Sequence, residues 1–234
     1  MTPEELDRQI AEASDPARHP WDGGPAAVSR AKQAILDDLR PVRPLPPDWA
    51  LAVGFLFLFA IFAGSSALAL GMYGVHVLSG WQSVLIFTIL AGSAALAAVA
   101  CVREMRPASG SPLGAAALAC AVILFPLVFA AVFHGYGTHD LVKQGIPCLI
   151  AGLCVSVPAG LVTGWIIRRG FVLSWSRAGG AAGTLCGLAG LGMLELHCPN
   201  LIAIHVILWH VAVVLISGLL GFLVGRALDA VNNR

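Results

Sequence analysis

From residue 49 onward the chain is written in long apolar blocks separated by short polar joints. Six such runs lie near residues 50–70, 83–102, 113–133, 146–167, 178–196 and 201–224. Each is close to the roughly 20 residues a helix needs to cross a bilayer. The pattern predicts an all-α membrane protein, a six-transmembrane-helix bundle over residues 49–226. A short helical tail over 1–48 precedes it, and a C-terminal tail over 227–234 follows. An even number of crossings puts both termini on one side.

The first 48 residues carry a different periodicity. Thr2-Pro3-Glu4-Glu5 has the form of a helix start, with a capping threonine and a proline at the first helical position. Leu6 and Ile10 follow at i, i+4 spacing. After a Pro, Gly and Asp-rich break, Val28, Ala31, Ile35 and Leu39 form a second apolar stripe. Two helices this short build no core of their own, so their stripes need a partner or stay solvated. Pro41, Pro44, Pro46 and Pro47 impose an extended spacer, and Trp49 stands as an interfacial anchor. A polar start of this kind reads as a retained tail and not a cleaved leader.

Composition agrees with the pattern. The chain is 58% hydrophobic and 12% charged, against about 25% charged in a soluble domain. The placement of charge says more than its sum. Thirteen of the fourteen Lys and Arg residues fall in the tail, in the joints after runs two and four, or after run six; Lys143 alone falls on the other side. The positive-inside rule then predicts cytoplasmic termini and short outer loops. The tail holds nine acidic and six basic residues, a local charge of −3, compatible with a partner that presents a basic groove. Nothing here points to direct nucleic-acid binding.

Gly179, Gly183 and Gly187 recur every four residues in the fifth run. Such spacing lets helix backbones approach closely, within one bundle or across a homo-oligomer face; packing within the bundle is the favoured reading. Cys101, Cys120, Cys154 and Cys186 lie inside apolar runs, where cysteine acts as a small hydrophobe. Cys148 and Cys198 instead fall near run ends on the outer side, with Glu195, His134, His139, Asp140 and His197 in the adjoining segments. Thiols and imidazoles are good ligands for zinc, copper and related metals, although the spacing fits no standard zinc motif. In an oxidising compartment Cys148 and Cys198 could form a disulfide, bind a soft metal together, or stand as unrelated boundary residues. His210 sits about ten residues into run six, roughly 15 Å from its start and near mid-bilayer. With Trp209 it reads as a buried polar contact. At five residues apart, His205 and His210 are expected on different helix faces.

Three segments carry a family resemblance: Leu36-Asp37-Asp38-Leu39-Arg40-Pro41-Val42-Arg43-Pro44-Leu45-Pro46-Pro47 before the first crossing, Gly145-Ile146-Pro147-Cys148-Leu149, and Leu196-His197-Cys198-Pro199 with Leu208-Trp209-His210. Together with the six-crossing plan they resemble the NrsF-type membrane anti-sigma factors over residues 30–226. The resemblance implies a non-enzymatic regulator at the bacterial inner membrane. Its cytoplasmic tail would hold an extracytoplasmic-function sigma factor inactive, with Leu6, Ile10, Val28, Ile35, Leu36 and Leu39 as docking anchors. It also implies two outer-side cysteines, here Cys148 and Cys198, that sense heavy metals or oxidation, and His197 is the adjoining candidate ligand. No cofactor is required, but a heavy-metal or zinc-type ion at the sensing cysteines is expected. Rival readings are a quinone-linked thiol-redox protein, which the lack of any CxxC pair disfavours, and a small metal transporter, which the lack of intramembrane acids disfavours.

Overall fold

The computed structural model describes residues 45–106, 113–137 and 140–232, with isolated positions 5, 8, 29, 30 and 32–34; for Cys120 and Val122 it describes the backbone alone. The chain divides into two compact units, Met1–Pro44 and Leu45–Arg234. In the first, the few described residues are helical. The expected docking anchors Leu6, Ile10, Val28, Ile35, Leu36 and Leu39 and the expected outer His139 lie outside the described residues.

The second unit is all-helical among its described residues. Six helices, each long and apolar enough to cross a membrane, follow in order: α1 (Asp48–Leu70), α2 (Gly80–Glu104), α3 (Leu113–Val132), α4 (Leu141–Ile167), α5 (Trp175–His197) and α6 (Ala203–Asn232). All six extend or trim the apolar runs by a few residues. The largest difference is at α6, which continues eight residues past its apolar run. Residues 227–232 are therefore part of a helix and not a separate tail. The Asp229 carboxylate explains the extension, because it accepts hydrogen bonds from the backbone N–H groups of Trp175 (2.8 Å) and Ser176 (2.9 Å) at the start of α5. Those donors have no partner inside their own helix.

Cross-bonds identify the two ends of the bundle. At one end the His197 ring bonds the Gly71 carbonyl, Asn200 donates to Gln144, and Gln82 donates to the Val132 carbonyl. At the other, Phe171 N–H donates to the Met105 carbonyl, Arg106 pairs with Asp48, and Arg177 pairs with Glu104 at 3.5 Å.

The centre of the bundle is α5, which packs against α1, α2, α3, α4 and α6 and is buried throughout residues 181–195. It is also the least apolar of the six, with a mean hydropathy of 1.2 where the others span 2.0–2.6. Surrounded by helices, it needs small residues more than greasy ones. A Cβ on Gly179 would collide with the Gly221 carbonyl, one on Gly183 with the Ser217 carbonyl, and one on Gly225 with the Trp175 carbonyl. The four-residue glycine repeat is thus spent inside the chain, on a backbone-to-backbone seam between α5 and α6.

Candidate functional site

Four side chains from three elements converge where α5 ends. Cys148 lies in the first turns of α4, Cys198 caps the C-terminus of α5, and His205 and His210 come from the first turns of α6. Their donor atoms all lie within 4.8 Å of one another. The two sulfur atoms are 3.7 Å apart, and Cys198 Sγ is 3.7 Å from His205 Nε2. Cys198, His205 and His210 are buried, and Cys148 is half-exposed, so the cluster has one open side.

The local backbone explains why they meet. In an ordinary α-helix, residues five apart are separated by about 140° around the axis. Here residues 206–210 form a π-helical turn, with the Val211 N–H bonded to the Val206 carbonyl. The wider turn brings His205 and His210 onto one face, with ring centroids 5.4 Å apart and nearly perpendicular. The expectation that they point along different faces is therefore overturned. His210 stands seven residues into a thirty-residue helix, about 10 Å from the end nearest Cys198.

Glycines make room around the cluster. The Trp209 ring lies across Gly145 in α4, three residues before Cys148, where any Cβ would enter the indole. A Cβ on Gly74, in the short turn Gly74–His76, would press on the Glu195 and Cys198 carbonyls. Asn200 fixes the α5–α6 loop by accepting from the Ile202 N–H (3.1 Å) while donating to Gln144 (2.8 Å).

Beneath the thiols lies a buried polar pair. His210 Nδ1 is 2.7 Å from Glu195 Oε1, with both side chains at 1% exposure or less. The pair accounts for a carboxylate that would otherwise be very costly so deep in the fold. It leaves Glu195 Oε2, His205 Nδ1 and His210 Nε2 buried with no hydrogen-bond partner. The Cys198 thiol is pushed up from its ordinary pKa by its hydrogen bond with Cys148 and by burial.

The structure therefore brings Cys148, Cys198 and His210 together and adds His205. It leaves His197 out. That ring is held by the Gly71 carbonyl at 2.8 Å and lies against Tyr73, with centroids 5.8 Å apart. Gly71 can present its carbonyl this way because it ends α1 at a φ of +98°, open to glycine. Trp209 is half-buried, and its indole Nε1 has no partner. His134 and Asp140 are exposed, as is Cys154, while Cys101 is buried and Cys186 is buried beside Thr163. Sequence reasoning missed Glu195 as the partner of His210 and missed His205 altogether as a site residue. A thiol pair with two imidazoles suits soft and borderline cations, and the thiols alone are close enough to oxidise to a disulfide with a small movement.

Comparison with curated proteins and with solved structures gave no match. A family model described as "NrsF: Negative regulator of sigma F" matches residues 36–228, which takes in the first five long helices, α6 as far as residue 228, and every residue of the cluster. The chain belongs to this family of negative regulators of a sigma factor.

Proposed function

We propose that this protein is an inner-membrane anti-sigma factor that holds an extracytoplasmic-function sigma factor inactive and releases it when Cys148 and Cys198 capture a heavy metal or are oxidised. The observation that carries the sensing part is the 3.7 Å approach of the two sulfur atoms, from residues fifty positions apart in sequence. The orientation rests on charge. Lys143 lies at the Cys198 end of the bundle, and Arg103, Arg106, Arg168, Arg169, Arg177 and Arg226 lie at the other. By the positive-inside rule the arginine end is cytoplasmic and the cysteine end faces outward. The tail, with Leu6, Ile10, Val28, Ile35, Leu36 and Leu39 as its apolar anchors, is the segment that would dock the sigma factor.

A signal must cross the bundle to reach that tail. Inverting a 1:99 population takes about 5.5 kcal/mol of differential affinity, which two metal–thiolate bonds or one disulfide can supply. The rigid path is α5. One end of it carries Cys198, and the other is bonded to α6 through Asp229 and to α2 through Glu104.

The test is a sigma-dependent reporter in cells carrying Cys148→Ser or Cys198→Ser. Each substitution is expected to abolish induction by cadmium and by thiol oxidants, and an unchanged response would remove the sensing role. Co-purification of the full chain with the sigma factors of its source tests docking. Ile35→Asp with Leu39→Asp is expected to abolish capture, and capture that survives both changes moves the docking surface elsewhere.

A further inference from the structure

We propose that Cys148, Cys198, His205 and His210 form one four-coordinate site for a closed-shell divalent cation of the zinc and cadmium class, with Glu195 as the residue that positions His210. This deepens the sensing reading above and rests on it for the consequence of binding, while the ligand set stands on its own geometry.

The first argument is metric. A tetrahedral ion with metal–sulfur bonds of about 2.3 Å separates its two sulfur ligands by about 3.8 Å. The Cys148 and Cys198 sulfurs are 3.7 Å apart, and the Cys198 sulfur and His205 Nε2 are also 3.7 Å apart. All four donor atoms lie within 4.8 Å of one another, so a closing movement of about 1 Å in the widest pair brings the cluster to such a coordination shell.

The second argument is the accounting of polar atoms. Glu195 lies 2.7 Å from His210 Nδ1, so a neutral imidazole that keeps its proton on that nitrogen has Nε2 as its lone-pair donor. That Nε2 is buried with only the Cys198 thiol beside it and no nitrogen or oxygen partner, a costly arrangement unless something binds it. A carboxylate that orients the second nitrogen of a metal-bound histidine is the recurrent support of zinc sites. Here the carboxylate is in place, and it is as buried as the ring it holds.

The third argument is the π turn. Without it His205 would face away from His210, and a wider turn of this kind in an otherwise α-helical segment often marks a functional site. The donor set then chooses the ion. Two thiols and two imidazoles offer no hard oxygen donor, which disfavours magnesium and calcium and suits zinc and cadmium. On capture the two Sγ–H bonds break and both protons pass to water on the open side at Cys148. Two metal–sulfur bonds form, both imidazoles donate lone pairs, and no oxidation state changes.

The test is titration of the purified full chain in detergent with Co2+, followed by competition with Zn2+ and Cd2+. One cobalt per chain is expected, with the intense visible bands of tetrahedral geometry and thiolate charge transfer in the near ultraviolet, displaced by either competitor. His205→Ala and His210→Gln are expected to weaken binding by more than about 100-fold and to alter the visible bands. Glu195→Gln should cost about 10- to 100-fold with the band pattern kept, as for other orienting carboxylates. His197→Ala should change neither. If His205→Ala and His210→Gln bind with the native affinity and bands, the imidazoles are not ligands and the proposal is overturned, while thiol sensing stands. Absence of tetrahedral cobalt bands in the native chain also overturns it. Should a variant misfold, the cadmium-113 resonance of the native protein separates a donor set of two sulfurs and two nitrogens from one of two sulfurs and two oxygens. A reporter indifferent to both cysteines, with the cobalt site intact, would sink the sensing reading alone.

Discussion

The two ends of α5 hold polar groups in opposite ways. At its start, Asp229 accepts from two backbone N–H groups, Ser174 accepts from the Arg177 N–H, and Arg177 pairs with Glu104. These groups close the helix terminus and tie α5 to α2 and α6. At its finish, Glu195 and His210 satisfy one another on one side only, and three further buried donor or acceptor atoms around them have no partner. Fully paired polar groups fix a structure. A cluster that is partly paired and packed around two thiols and two imidazoles keeps donor atoms that the fold itself does not use.

That contrast can be broken at several points. The largest effect is expected from Glu195→Ala, which strands His210 in the core. Removing one partner of a buried pair costs about 3–5 kcal/mol, so unfolding in mild detergent should show a strongly lowered midpoint. A loss below about 1 kcal/mol would mean that the pair contributes no more than an exposed one. Next comes Gly221→Val, whose added atoms would meet the Gly179 carbonyl along the seam. Overpacking of this kind costs about 1–3 kcal/mol, and because α5 links both ends, the Cys148–Cys198 cross-linking rate should change with it. Asp229→Ala removes a cap and should cost about 0.5–2 kcal/mol. Because Asp229 ties the start of α5 to α6, oxidative cross-linking at the far end should change too, by less than with the glycine change, and an unchanged rate would show that the two ends are not coupled through α5. The smallest effect is expected from Cys186→Ala. It removes a contact of 3.5 Å to Thr163 Oγ1 and should cost about 0.5–1.5 kcal/mol, with no change in thiol chemistry at Cys148 and Cys198.

The six helices were legible because each is long and apolar enough to declare itself. Their ends were less so, since Asp229 and Trp175 extend helices beyond the apolar blocks by bonds that no local pattern announces. Cys148 and Cys198 could be singled out by their place at run boundaries, yet sequence alone left their pairing open. His197 was the natural third ligand, being next to Cys198. The fold gives its ring to Gly71 instead. His205 was set aside because an ideal helix turns it away from His210, and the single π turn that reverses this has no periodic signature. Glu195 and His210 flank a loop whose geometry is set by Asn200 and Gln144, so their depths could not be matched by counting residues.

The packing of α5 carries a consequence for how the chain is made. For a bilayer protein, helices partition into lipid largely by their own hydropathy. With a mean hydropathy of 1.2 and a carboxylate near its end, α5 is the poorest candidate for independent insertion. Its glycine seam with α6 supplies the remedy, because the two can enter together as a hairpin with Asp229 and Glu195 already partnered. Release of α5 from the synthesis machinery would then wait on α6, and Cys198, His205 and His210 would be brought together in that same event.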